Sequence, residues 1–380
     1  MAALAWLPVR GSAADFTAVE NIISDGIGRG AFPGAQLIIG TDDGIVFERY
    51  FGNYTYDEFS PAVHEESLYD LASVTKTVAT TSAVMKLYDS GLLDLNAPVS
   101  KYLPEFGNNG KSDITVLNLL LHNSGLEAFV PFYTMYSKRG EVISHINNMG
   151  LSYPVGSKTV YSDLNAILLG EIVETVSGMP LDEYCSINIF VPLGMRNTCF
   201  RPQGKMLDEA VPTEQDDYWR MKLLKGEVHD EAAYLMGGVS GNAGLFSNAK
   251  DLYRFMKAML NEGKFYDFSI PGERQISGKE AVLYFTKRIE GLPYLNTRAL
   301  GWETKPEKVS SNRIPCGEEI SEECFGHTGY TGTSVWCDRK RGLIIILLTN
   351  RVYPTRNNNL IREIRPDVHN AAVRAFDNGN

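Results

Sequence analysis

A mixed α/β (α+β) fold is what this sequence predicts, with strands near both ends of the chain forming an antiparallel sheet and helices between them. Three observations carry that prediction. Residues 35–39 and 45–50 flank Asp42-Asp43-Gly44, a hairpin signal with turn residues at its centre. Residues 334–337 and 343–348 repeat the pattern in the last third, and the run Leu343-Ile344-Ile345-Ile346-Leu347-Leu348 reads as a strand buried on both faces. In the stretches between, apolar residues recur mostly at helical spacing.

Taken in order, residues 16–27 carry a helical apolar pattern that Gly28 and Gly30 stop. The glycines at 26, 28 and 30 follow a helix rather than a strand, so they do not make a phosphate loop. His64-Glu65-Glu66 has no second histidine one helical turn away and reads as an exposed loop. Residues 78–88 form a buried helix ending at Gly91, with residues 73–76 as its first turn. In residues 114–125, Thr115 is the N-cap, the leucines a buried face and Gly125 the stop; His122, in the last turn, takes a structural role. Further helices fall over residues 142–149, 162–177 and 181–190. The glycine-rich residues 237–244 lead into a helix over 249–260, without the Lys-hydroxyl ending of a phosphate cradle. Residues 298–302 read as a strand, and residues 356–376 as a closing helix beside the amino-terminal one.

The 380 residues are 44% hydrophobic and 22% charged, enough for a sizeable core, and no repeat or low-complexity linker divides them. A formal net charge of −10 argues against nucleic acid or an anionic membrane as partner. No apolar run approaches membrane-spanning length. The five cysteines, Cys185, Cys199, Cys316, Cys324 and Cys337, show neither zinc spacing nor a disulfide framework, although Cys316 and Cys324 are placed to approach each other in a loop. The first residues lack the basic start and full apolar core of a signal peptide, so they read as a linker or packed extension; localisation stays open.

Chemistry concentrates at Ser73-Val74-Thr75-Lys76. Residues three apart share a helical face, which puts an amine beside a hydroxyl, a base beside a nucleophile. Burial and a helix N-terminus both disfavour the ammonium, and the same N-terminus favours negative charge on the serine oxygen. A serine-lysine pair also needs a second basic group to move the proton between nucleophile and leaving group, and a tyrosine near two cations can serve. Tyr161-Ser162-Asp163 opens a helix and supplies one.

The order Ser73-Val74-Thr75-Lys76, Tyr161-Ser162-Asp163, His327-Thr328-Gly329 resembles the three-box pattern of the serine β-lactamase and penicillin-binding-protein superfamily, which includes class C β-lactamases, family VIII esterases and D,D-peptidases. Residues 119–126, Pro192-Leu193-Gly194-Met195 and residues 238–247 agree with it, and the resemblance runs from about residue 20 to about 375. It extends to the domain that some bacteria fuse behind a β-N-acetylglucosaminidase module.

The resemblance implies a β-lactamase/D,D-peptidase-like fold in one catalytic domain over 1–380: an antiparallel sheet flanked by helices (about 15–75 and 245–380) plus an all-α lobe (about 76–244), with the active site between. Ser73 would attack a carbonyl, Lys76 and Tyr161 would take and return its proton, and the backbone N–H groups of Ser73 and Tyr330 would form the oxyanion hole. Asp163, His327, Thr328 and Gly329 would bind substrate. Neither metal nor organic cofactor is implied; the partners are a small ester, amide or peptide substrate and a glycosidase module.

Two residues depart from class C β-lactamases. Asp163 replaces the usual asparagine, and a carboxylate beside Lys76 favours the ammonium and shifts weight to Tyr161. His327 replaces the usual lysine and lacks its fixed charge. If His327 holds a carboxylate by protonation, affinity for acidic substrates rises as pH falls towards about 6. Both departures lean towards a serine hydrolase of small esters or amides. The alternatives are a D-alanyl-D-alanine carboxypeptidase or penicillin-binding protein, a weak class C-type β-lactamase, and a binding module that recognises wall fragments without chemistry.

Overall fold

The centre of the main sheet joins strands from opposite ends of the chain. In the computed structural model, which describes residues 14–267, 270–291, 298–306 and 313–379, β1 (Gly34–Gly40) and β2 (Ile45–Gly52) form the expected first hairpin. Strands β3 (Cys324–Thr328), β4 (Ser334–Asp338) and β5 (Leu343–Thr349) form an antiparallel meander. The order is β3-β4-β5-β1-β2. β1 and β5 therefore lie side by side, with Leu37 opposite Leu347 and Ile38 opposite Ile346. The reading of residues 1–13 falls outside the described residues.

Alternate side chains of a strand face opposite ways, and here both faces are covered. Leu37, Ile39, Ile345 and Leu347 belong to one core with Val19 and Ile23 of helix Thr17–Gly28 and Ile364 and Val368 of helix Ile361–Gly379. Ile38, Ile344 and Ile346 belong to the other, with Leu252, Phe255 and Met256 of helix Ala249–Leu260. Two-sided burial explains why β5 has no polar alternation.

Between the two halves of the sheet run helices Ser82–Asp89, Val116–Leu120, Arg139–Asn148, Asp163–Ser177 and Leu181–Cys185, the last continuing into the π-helical turn Ser186–Phe190. Thr115 caps its helix as expected: its hydroxyl accepts the Asn118 N–H at 3.2 Å, and Asn118 Oδ1 accepts the Thr115 N–H at 2.9 Å. The mixed fold with an antiparallel sheet is the one expected.

Some elements differ. Residues 298–302 are a tight turn between single bridge pairs, because Gly301 adopts φ +76 and its N–H donates to Leu120 O; Arg298 bridges Glu303, and Glu303 bridges Gly326 of β3. The closing helix starts at Ile361 rather than 356, because Arg356 commits its N–H and guanidinium to Glu214. Helix Val116–Leu120 ends before His122, which takes the left-handed φ of +54. Cys316 and Cys324 share a small buried cluster as free thiols.

Candidate active site

The serine sits on a strained entry. From the strand pair Tyr69–Asp70 the chain enters a 3₁₀ turn, Ala72–Val74, then a π-helical stretch, Lys76–Thr81, before helix Ser82–Asp89 begins. Ala72 has φ +45, a conformation costly for a residue with a Cβ. Asp70 holds it there. One carboxylate oxygen accepts the Ala72 N–H at 2.8 Å and the other the His229 N–H at 2.6 Å. From the turn after β3, Thr331 and Thr333 donate their hydroxyls to the carbonyls of Asp70 and Leu71 at 2.7 and 3.0 Å. Gly329 lets the backbones meet, since a Cβ there would lie 2.4 Å from Leu71 O.

Lys76 is buried and donates to three acceptors: Ser73 Oγ at 2.9 Å, Asn242 O at 3.0 Å and Asp163 Oδ1 at 2.7 Å. Burial alone would lower its pKa, but Asp163 and Tyr161 outweigh burial and hold the ammonium above its usual range. The carboxylate effect anticipated from Asp163 is thus present in the geometry. Burial pushes the Asp163 carboxyl up while Lys76 pulls it back; at 2.7 Å from an ammonium it sits as the carboxylate of an ion pair.

Tyr161 immediately precedes helix Asp163–Ser177 and leaves part of its ring exposed. Its ring faces two cations, Lys76 Nζ and the Arg298 guanidinium, each 5.1 Å from the ring centre. Burial raises the phenol pKa, against a lowering by Lys76. His122 packs on the same ring at 4.9 Å, and its Nδ1 accepts the Ser162 N–H at 3.1 Å. It fixes the chain that carries Tyr161, in keeping with a structural role.

His327 on β3 is buried, with Nδ1 2.8 Å from Thr328 O and no partner for Nε2 among the described residues. Burial, with Arg298 and Lys76 nearby, lowers its pKa to about 4 despite Glu303. The ring is therefore a neutral wall. Thr328 ends β3 beside Gly329. Tyr330 is clamped: Arg351 Nε donates to its carbonyl at 2.6 Å, the Arg351 guanidinium lies 4.2 Å from its ring, and His229 stacks on it at 5.6 Å. Among the described residues, no acceptor takes the N–H of Ser73 or of Tyr330.

Ser73, Lys76, Tyr161 and Asp163 thus converge, and β3 and its following turn face them. Sequence reasoning missed Arg298, a lone cation ahead of apolar Ala299 and Leu300, and the carbonyl of Asn242, which lies in the glycine-rich loop. The first had a signal, a charge in a strand-like apolar stretch; the second, a main-chain contact, had none. Among the described residues no cluster of side chains could hold a metal ion.

The family model described as Beta-lactamase matches residues 19–368. The N-acetylmuramyl-L-alanine amidase of Bacillus subtilis (strain 168) is 36% identical over 379 residues, covering 90% of this chain and 83% of its own. A protein of Escherichia coli (strain K12), whose name puts it forward as a D-alanyl-D-alanine carboxypeptidase, is 34% identical over 367 residues, covering 87% and 82%. Among solved structures, a penicillin-binding protein homolog from Caulobacter crescentus superposes with a TM-score of 0.73 at 20% identity, covering 95% of this chain and 97% of that one. That last likeness concerns the fold alone.

Proposed function

Because this chain belongs to the β-lactamase family of serine hydrolases, we propose that it cleaves an amide bond in a peptide-bearing cell-wall fragment through an acyl-enzyme on Ser73. Ser73 Oγ attacks the carbonyl carbon, and its proton passes through Tyr161 to the leaving nitrogen. Lys76, held as an ammonium, stabilises the phenolate formed in transit rather than acting as the resting base. The N–H groups of Ser73 and Tyr330 receive the oxyanion. Water then attacks the ester, and the Tyr161 phenol gives its own proton to Ser73 Oγ as the acid leaves while taking the water's proton in exchange.

One observation carries this reading over neutral esters. A neutral His327 leaves box three without a charge, but Arg298 brings a permanent cation beside Tyr161; its described ion-pair partner, Glu303, lies at 3.7 Å. A substrate carboxylate on the leaving group, such as a peptide carries, suits that cation. Two relatives above 30% identity are named for amide cleavage in wall material, which supports the same direction. The ester reading remains second, favoured by the uncharged His327.

The test offers purified protein two amides, an N-acetylmuramyl-L-alanyl peptide and a peptide ending in D-alanyl-D-alanine, beside an uncharged activated ester. Ser73→Ala should abolish turnover, and Tyr161→Phe should reduce it at least about a hundredfold. Arg298→Gln should lower kcat/KM at least about tenfold on the carboxylate-bearing amide and less than about threefold on the ester, as expected for one lost charged contact. Turnover of the ester alone would move the assignment to esterase. Equal losses on both substrates would mean that Arg298 acts through Tyr161.

A further inference from the structure

The turn that follows β3 has each of its carbonyls taken from within or from the end of β5. Gly329 O accepts the Gly332 N–H at 3.0 Å inside the turn. The next three go to Thr349 and Arg351: Tyr330 O accepts Arg351 Nε at 2.6 Å, Thr331 O the Arg351 N–H at 3.0 Å, and Gly332 O the Thr349 hydroxyl at 3.0 Å. A trans peptide directs its N–H opposite to its carbonyl. With Gly329 O bonded inside the turn, the Tyr330 N–H points out of it. Gly329 cannot hold that direction by itself. Packing against Leu71 O demands a glycine there, and a glycine leaves the peptide on either side free to rotate. Tyr330 is instead gripped from its other end. Arg351 is buried, its Nη1 anchored on Asn358 O at 2.7 Å, and its guanidinium lies 4.2 Å from the Tyr330 ring. His229 also stacks on that ring, and its N–H is held by the Asp70 carboxylate that holds the Ala72 N–H. One carboxylate thus ties the residue before Ser73 to a residue packed on Tyr330.

We propose that Arg351 is a positioning residue for the oxyanion hole: by gripping the carbonyl and ring of Tyr330, it keeps the Gly329–Tyr330 peptide in the orientation that presents the Tyr330 N–H to a tetrahedral intermediate on Ser73. The proposal rests on Ser73 being the acylated residue and on that N–H serving the hole. Arg351 acts through the turn and not on the substrate. A misdirected donor counts as a lost one, and its loss is felt where charge develops more than in the bound ester.

The experiment uses an uncharged activated ester, so that it does not depend on amide cleavage, together with an arylboronic acid. The boron bonds to Ser73 Oγ as the serine proton leaves to solvent, and the resulting tetrahedral anion places a hydroxyl oxygen in the hole. Arg351→Met should lower kcat on the ester at least about thirtyfold, change KM less than about threefold, and weaken the boronic acid by a factor similar to that in kcat. Arg351→Lys keeps one donor within reach of Tyr330 O; it should fall between, at least about threefold below the unaltered enzyme, and carries the test if the methionine variant does not fold. An unchanged kcat with a lower urea midpoint would overturn the proposal and leave Arg351 as a support of the fold. A fall in kcat with unaltered boronic acid affinity would overturn it too, placing the defect outside the hole. Boronic acid that binds Ser73→Ala as tightly as the unaltered enzyme would remove the nucleophile assignment and this proposal with it. Failure to cleave any amide, with the ester and boronic acid results as expected, would remove only the amide reading and leave this one standing.

Discussion

His327 shows how a side chain's chemistry is set by where it is put. From the sequence it was a titrating replacement for a lysine, able to hold a carboxylate at mildly acid pH. Burial gives it a pKa of about 4, so it stays neutral where the enzyme would be assayed. The expected outcome is a KM for acidic substrates that is flat between about pH 5.5 and 8. A KM that falls tenfold towards pH 6 would show a protonated imidazole in the site. The Ser73–Lys76 pair was legible because residues three apart share a helical face, and Tyr161 because its motif follows in the order of the resembling family. Arg298 showed only as a charge in a strand-like apolar stretch, and its approach to Tyr161 and His327, far away along the chain, had no local record.

At the scale of elements, the sequence places a helix after Ser73 but does not reveal how it begins. The apolar spacing of residues 78–88 specifies a buried helix, whereas the left-handed Ala72 is held by contacts of Asp70 with its N–H and of Thr331 and Thr333 with the carbonyls of Asp70 and Leu71. Local propensity cannot anticipate those. At φ +45 the Cβ of Ala72 is tolerated and a branched one would not be. Ala72→Gly should change unfolding free energy by less than about 1 kcal/mol, relief of strain offsetting the greater freedom of the unfolded chain. Ala72→Val should destabilise by at least about 2 kcal/mol and slow turnover by moving Ser73. Comparable denaturation midpoints for the two variants would count against strain at this residue. His122 makes a similar point: the helix was found, its end was misplaced, and the left-handed turn that ends it aims the ring at the Ser162 N–H.

For the whole molecule, the hairpins at the two ends of the chain and the helical stretch between them gave the α+β architecture, because two-sided burial writes itself as unbroken apolar strands. The polar groups buried with that core were not legible. His122, His327 and His369 are buried, and burial lowers all three: to about 4 for His327, about 3 for His369 and well below 6.5 for His122. In the unfolded chain each returns to about 6.5. Between these limits the unfolded state holds more protons, so stability is intact above about pH 6.5 and declines as pH falls towards 4, by about 1.4 kcal/mol per pH unit for each ring. Glu214 acts in the same sense lower down. Burial would raise it, but His229 and Arg356 hold it at about 2, so its contribution is present above 4.5 and lost as pH falls towards 2. Urea midpoints should be level from about pH 7 to 8 and fall steeply from about 6 to 5. Level midpoints down to pH 5 would mean that the three rings are already protonated in the folded protein.

The pairing of β1 with β5 also sets a timetable. On the ribosome, Ser73 and Lys76 emerge early, but the turn that faces them follows Thr328, and the strand that completes the centre of the sheet begins only at Leu343. Until then β1, apolar on both faces, has one edge unsatisfied and the terminal helix Ile361–Gly379 is missing from above it. A nascent chain that stops short of Leu343 therefore exposes an unpaired strand edge and apolar surface. Hydrolytic competence waits for the strand Leu343–Thr349, far along the chain from the nucleophile, which keeps Ser73 idle until that strand is made.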